Sequence, residues 1–290
     1  MSDRVIAAFS EDPGLLVRAA STALLADAAR QIHGCSPTAT AALGRALTAA
    51  VLMGTLLKGN QTVLLQWRGA GPLGPVVAEG KADLAVRGYV SNPAADVPSR
   101  GGKIDVGAGV GTRGNLVVVK DFGLKDPYVS TVPLQTGEMG DDLAYYLLTS
   151  EQLPSAVGLG VHVAPDHAVN AAGGILVEAL PDAHPRDLDR VAENLIALRS
   201  VTEILGRGGV EALVARALEG VRFQTQDLGV PRFHCTCGPD RLDATLVALG
   251  PREAENLLAT TGEIRVRCAF CAAEWRKRSM GGEWERKDEG

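Results

Sequence analysis

The sequence has few aromatic residues (4% of 290 positions) and little charge, with 22% Asp, Glu, Lys and Arg. Wholesale disorder is excluded, because disorder needs low hydrophobicity and high net charge, and here 46% of the residues are hydrophobic. There is no basic excess. The formal net charge is −5, so no global positive field invites nucleic acid. Five cysteines are too few for a disulfide-rich secreted scaffold of this size. Long apolar runs are missing as well. The most hydrophobic helix-like stretch, around residues 46–57, is cut by Gly54 and is shorter than the roughly 20 residues a bilayer span requires. The apolar run near the start meets Ser10-Glu-Asp-Pro13 too early for a signal peptide. The expectation is a cytoplasmic protein with no membrane partner. In that compartment thiols stay reduced, and clustered cysteines point to metal or redox chemistry.

What is present is length and pattern. A chain of 290 residues can bury a sizeable core without covalent staples, as one large domain or two to three small ones. Residues 6–9 read as an edge strand. Residues 15–32 carry apolar side chains at helical spacing and stop at Gly34. Ser36-Pro37 offers an N-cap and a first-turn proline for a buried, Ala- and Leu-rich helix expected to run to Lys58. From Gln61 the pattern turns to short β-prone runs at 62–67, 76–79, 84–90, 116–120 and 128–132, separated by Gly- and Pro-rich turns. A helix near 140–148 and strands at 156–164 and 168–180 follow. Strands and helices do not alternate regularly, so the class is α+β rather than α/β, with a sheet-centred N-terminal core domain over residues 1–180.

Residues 181–233 differ. Leu188, Val191, Leu195, Leu198 and Leu205 fit one helical face, Gly206-Arg-Gly-Gly209 interrupts, and Val210, Leu213, Val214, Ala217 and Leu218 form a second stripe. This reads as a helical linker with a joint. Such stripes are most simply core faces, and they must cover an apolar surface when docked.

Residues 234–290 hold four of the five cysteines, as Cys235-Thr-Cys237 and Cys268-Ala-Phe-Cys271, with 30 residues between the pairs. Zn²⁺ takes four tetrahedral ligands and binds thiolate well. A segment this short, with few large apolar side chains, would draw much of its folding free energy from a metal. The C-x-C half departs from the usual C-x₂-C of structural zinc. A disulfide within it would close a cramped ring and be easily reduced. Metal-bound thiolates are what oxidants attack, so oxidation would remove the ligands and the folding free energy together. The residues thus describe a small C-terminal zinc-binding domain with the chemistry of a redox switch. They do not say what is switched.

Further blocks carry a resemblance. The C-x-C and C-x-x-C pairs, Ser150-Glu-Gln-Leu-Pro154 after Tyr145-Tyr146, Ala171-Ala-Gly-Gly-Ile-Leu176, Gly69-Ala-Gly-Pro72 and Gly262-Glu-Ile264 stand as an ordered set over nearly the whole chain. The set resembles the bacterial redox-regulated holdase chaperones, the thirty-three-kilodalton heat-shock protein (33 kDa chaperonin) family. The resemblance implies an ATP-independent chaperone, not an enzyme, responding to oxidative stress. The reduced form, with one Zn²⁺ on Cys235, Cys237, Cys268 and Cys271, would be an inactive monomer. Oxidation would pair Cys235 with Cys237 and Cys268 with Cys271, release the metal, unfold the zinc domain and linker, and produce a homodimer that holds unfolded client proteins until ATP-driven foldases receive them. Cys268 and Cys271 would sense the oxidant. Candidate client-binding residues are Leu188, Val191, Leu195, Leu198, Leu205 and Leu213.

His234 beside Cys235 is an alternative ligand by chemistry, although four cysteines complete a shell. Cys35 lies outside the signature and reads as a packed residue. Gly109-Val-Gly-Thr-Arg-Gly114 matches a dinucleotide fingerprint, but a strand follows where a helix is required, so a hairpin turn is expected. His162 and His167 read as ordinary histidines, and Glu138, Asp141 and Asp142 as a helix start. Two rival functions stand beside the holdase. A C-x-x-C thiol-disulfide oxidoreductase would need a thioredoxin-like setting. A zinc-ribbon nucleic-acid-binding regulator is disfavoured by nine basic against ten acidic residues from His234 onward, so no specific nucleic acid partner is expected.

Overall fold

A computed structural model describes residues 2–11, 14–181, 183–198 and 200–287. They fall into two compact units, divided between Phe233 and His234. The first unit opens with β1 (Arg4–Ser10) and β2 (Leu15–Ser21), paired antiparallel. Here the helical expectation for residues 15–32 is corrected. Leu15, Val17 and Ala19 are buried at period two, and β2 is hydrogen-bonded on both edges, so tertiary pairing overrides the helix preference of its Leu, Ala and Arg residues. The helix proper is α1 (Ala23–His33), closed by Gly34 in the left-handed conformation.

Ser36 caps α2 (Pro37–Gly54), its hydroxyl accepting from the Ala39 N–H, with Pro37 in the first turn. This helix ends four residues earlier than expected, in tight turns that bond Leu56 to Met53 and Leu57 to Gly54. Then come β3 (Thr62–Gly69), β4 (Val76–Lys81), β5 (Ala85–Val90), α3 (Val106–Val110), β6 (Gly114–Asp121), β7 (Tyr128–Pro133), α4 (Met139–Ser150), β8 (Ser155–Val163) and β9 (Val169–Ala179). The segment after β9 supplies α5 (Pro185–Ala197), α6 (Val201–Ala217), β10 (Phe223–Gly229) and β11 (Arg232–Phe233).

Two sheets result. One has the order β10-β1-β2-β9-β8 and the other β11-β5-β4-β3-β6-β7. Helix α2 is buried between them, and its small residues allow close approach. A Cβ on Gly80 of β4 would stand 2.1 Å from the Ala50 carbonyl oxygen of α2. One core cluster joins α2 to Leu65, Trp67 and Ala78 on one side and Ala20 and Leu176 on the other. The opposite face of the five-stranded sheet is covered by α5 and α6. Ile6, Ala8, Val17, Ala19, Ile175 and Val177 meet Val191, Leu205, Val210, Leu213 and Val214 there.

The expected single helix from Leu188 to Leu205 is two. The chain breaks after Ala197, and the Ser200 hydroxyl starts α6 by accepting from the Glu203 N–H. Gly206, Arg207 and Gly208 stay helical, and the joint narrows to Gly209 at φ 71°, ψ −166°. Residues 223–233 add strands to both sheets, so residues 181–233, apart from Asp182 and Arg199 outside the described set, are integrated into the first unit. The glycine-rich 109–114 segment is the end of α3 leading into β6 rather than a hairpin turn.

The second unit comprises α7 (Pro239–Leu249), α8 (Pro251–Thr261), β12 (Ile264–Arg267), β13 (Glu274–Lys277) and β14 (Glu285–Lys287), the strands forming an antiparallel sheet in that order. Its core is small: Leu242, Leu246, Ala254, Ile264, Trp275 and Trp284. Asp243 Oδ1 accepts from Lys277 Nζ at 2.9 Å and Trp284 Nε1 at 2.8 Å, tying α7 to the sheet.

Candidate metal centre

Two short segments build the site. Cys235 and Cys237 lie just before α7, which follows an extended Gly238 and has Pro239 in its first turn. Cys268 and Cys271 occupy the turn joining β12 to β13. That turn is closed by Cys268 N–H to Ala273 O at 2.9 Å and Ala272 N–H to Cys268 O at 2.8 Å, with Ala272 at φ 58°. The four sulfurs lie within 4.8 Å of one another. Cys235 Sγ is 3.7 Å from Cys268 Sγ, and Cys237 Sγ is 3.3 Å from Cys271 Sγ.

Four sulfurs about 2.3 Å from a central Zn²⁺ would be about 3.8 Å apart in a tetrahedron, and a disulfide needs about 2.05 Å. The separations lie close to the first arrangement and far outside the second. All four side chains are half-buried. Burial pushes the Cys237 and Cys271 thiols up, and nearby sulfur charge adds to the effect. Cys237 and Cys271 therefore resist becoming thiolates unless a cation supplies the counter-charge. The donor set therefore fits a soft or borderline divalent metal, Zn²⁺ foremost.

Among the described residues this is the one group of three or more His, Cys, Asp or Glu side chains whose ligand atoms converge. His234 is exposed and outside it. Glu138, Asp141 and Asp142 serve the start of α4. Glu138 pairs with Arg45, Asp141 accepts from the Thr136 hydroxyl, and Asp142 Oδ1 accepts from the Gln135 and Thr136 N–H groups. Glu138 is the residue that begins the helix, not Gly140-Asp141. Cys35 is buried between α1 and α2, and burial pushes its thiol up to about 11. The Cys268-x-x-Cys271 turn joins two strands, which is not the strand-to-helix setting of a thioredoxin-like nucleophile.

The six apolar residues singled out on the linker all pack in the α5–α6 cluster. Val191, Leu205 and Leu213 are buried, and Leu188, Leu195 and Leu198 partly so. Their partner surface on β1, β2 and β9 was not read from sequence as one face. The usable signal was the period-two pattern of Leu15, Val17 and Ala19 against Ile175 and Val177.

Comparison with known proteins agrees over nearly the whole chain. The family model described as "Hsp33 protein" matches residues 3–277. A 33 kDa chaperonin of Geobacter sulfurreducens is 44% identical over 256 residues, covering 88% of this chain and 85% of the relative. One from Clostridium perfringens is 38% identical over 294 residues, covering 99% and 92%. The crystal structure of the 33 kDa chaperonin of Thermotoga maritima superposes with a TM-score of 0.86 at 31% identity, covering 95% of this chain and 94% of that one.

Proposed function

Because the chain belongs to the Hsp33 protein family of chaperones, we propose that it is an ATP-independent holdase of the cytoplasm, switched by the redox state of Cys235, Cys237, Cys268 and Cys271. It holds unfolding proteins under oxidative stress and is not an enzyme. The observation that carries the reading is the convergence of four sulfurs from two distant segments.

Zn²⁺ bound by the four thiolates would contribute folding free energy to a unit whose own core has six buried side chains. The thiolates are also the oxidisable groups. Hydrogen peroxide takes two electrons from Cys268 and Cys271. One thiolate attacks a peroxide oxygen and breaks the O–O bond, releasing hydroxide and becoming a sulfenic acid; the other thiolate then attacks that sulfur, and its hydroxyl leaves with a proton as water, closing the disulfide. Pairing Cys235 with Cys237 consumes a second peroxide in the same way. Each disulfide deletes two ligands, and the second unit loses what folded it. Undocking of α5 and α6 then exposes Val191, Leu205 and Leu213 together with Ile6, Val17 and Ile175, two apolar faces for non-native chains or a second copy of the protein. Gly209, already non-helical, is where α6 yields with least strain.

The test is aggregation of a thermally unfolding client in the presence of reduced, zinc-loaded protein and of peroxide-treated protein, with released zinc measured in parallel. Suppression confined to the oxidised form, with one zinc released per chain, is expected. Equal suppression by both forms would sink the switch, and turnover of a disulfide substrate would favour an oxidoreductase. Cys268→Ser is expected to lose the peroxide response; an unchanged response would move the sensor elsewhere.

A further inference from the structure

The first turns of α5 face the turn that follows α6 across a cleft of about 190 Å³ lined by Arg186, Asp187, Arg190, Gly220, Val221 and Arg222. Its lining carries three arginines and one aspartate. Among the described residues, Arg186 and Arg190 make no ion pair, and Arg222 reaches Glu11 only at 3.4 Å while 77% exposed. The Arg190 side chain lies across Gly220, its Cδ 3.6 Å from where a Cβ would stand, and Gly220 sits at φ 84°. A residue with a side chain there would be strained by that backbone conformation. The N–H groups that begin α5 are already used: Arg186 N–H donates to His184 Nδ1, and those of Asp187 and Leu188 donate to His184 O. The attraction for an anion therefore resides in the guanidinium groups, with the positive end of the α5 dipole adding to it.

We propose that this cleft is an oxyanion site, taking a phosphate-type dianion, and that the bound anion clamps α5 to the 219–222 turn. With it, Arg186 and Arg190 from the helix and Arg222 from the turn donate to one group. Asn194 Nδ2 already fastens α5 to the same turn through Ala217 O and Glu219 O, at 3.0 and 2.9 Å, and the anion would add a second fastening one turn earlier on the helix. The regulatory consequence rests on the undocking proposed above, in that an occupied cleft raises the threshold for releasing α5. Anion binding itself does not depend on it.

The experiment uses the reduced, zinc-loaded full chain at fixed ionic strength maintained with chloride. Inorganic phosphate and glucose 6-phosphate are titrated by calorimetry, and hydrogen exchange of the α5 amides is followed. Saturable binding of one anion per chain is expected, with α5 exchange slowed about tenfold at a tenfold excess over Kd. The Arg190→Gln/Arg222→Gln variant, altered at two exposed positions, is expected to lose both effects while keeping its circular dichroism, and Arg113→Gln to keep both. Equal binding of the two ligands assigns recognition to the phosphoryl group, and binding of inorganic phosphate alone assigns the free ion. Heats that do not saturate, or an undiminished response in the double variant, overturn the site. No oxidant or client enters the assay, so its failure and the failure of the redox switch are separately visible.

Discussion

The two units solve the folding problem with different materials. The first encloses α2 between two sheets, with Trp67, Tyr146, Leu43, Leu47 and Met53 among its fully buried side chains. The second packs two short helices on a three-stranded sheet around six buried apolar residues, two of them tryptophan, and brings four thiols together. A core of the first kind is indifferent to redox conditions. A core of the second kind is small enough that a metal on its thiols would contribute much of its folding free energy, and a thiolate ligand set is one that an oxidant can remove. The same contrast recurs within the first unit. One face of the five-stranded sheet is sealed by α2 and a second sheet, the other only by α5 and α6 with a break after Ala197 and a kink at Gly209.

The largest expected effect separates the units. A chelator strong enough to strip the reduced protein should unfold the second unit, because structural zinc in small domains contributes on the order of 10 kcal/mol. Limited proteolysis read by mass spectrometry should then find new cleavage sites beyond His234, while the strands and α2 of the first unit stay protected. Retained protection throughout the second unit would mean that Trp275, Trp284 and their neighbours suffice, and the contrast would fail.

Next in size is a comparison of the two sheet faces. Leu213→Ala and Leu47→Ala each empty a fully buried leucine site, one on α6 and one on α2. Each is expected to cost about 2–5 kcal/mol. The consequences should differ. Leu213→Ala should loosen α5 and α6 locally, so that the reduced protein binds a hydrophobic dye. Leu47→Ala should lower the global unfolding midpoint with no gain in dye binding. Identical behaviour of the two would show that the α5–α6 layer is no more separable than α2.

How much of this was legible in the sequence follows from the same physics. The four cysteines were readable because ligand chemistry fixes residue type and spacing, and the two pairs converge in space. Helix α2 was readable because Ser36 and Pro37 announce its start by local rules. Strand β2 was not. Leu15-Leu-Val-Arg-Ala-Ala20 suits a helix by composition, and only its partners β1 and β9, the latter some 155 residues away, make it a strand. Strand β10 was missed for a related reason. Phe223-Gln-Thr-Gln-Asp-Leu228 is mostly polar and exposed, as an edge strand can be, so no hydrophobic alternation marks it. The centre was spelled in local chemistry, and the scaffold's edges depend on pairing that a single segment does not display.

The smallest effect probes whether the first unit is as insensitive to charge as its core implies. Asp27 on α1 is held below the usual carboxylate range, chiefly by the Arg30 guanidinium, with further bonds from the Val169 N–H and Gln31. A carboxyl depressed on folding contributes stability above its unfolded pKa, near 3.9, and loses it as pH falls through the lower folded value. Asp142 and Asp3 shift the opposite way, raised by burial, so their contribution is present at low pH and is lost as pH rises through their folded values. The acid limb of the first unit is thus a sum of opposing signs. The difference between wild type and Asp27→Asn isolates one carboxyl. The pair is partly exposed, so after screening the variant should lose less than about 1 kcal/mol at pH 7. Urea midpoints of the first unit should show that deficit shrinking toward zero as pH falls below 3.9. A deficit that stays constant with pH would assign the effect to hydrogen-bond geometry between α1 and β9 rather than to charge.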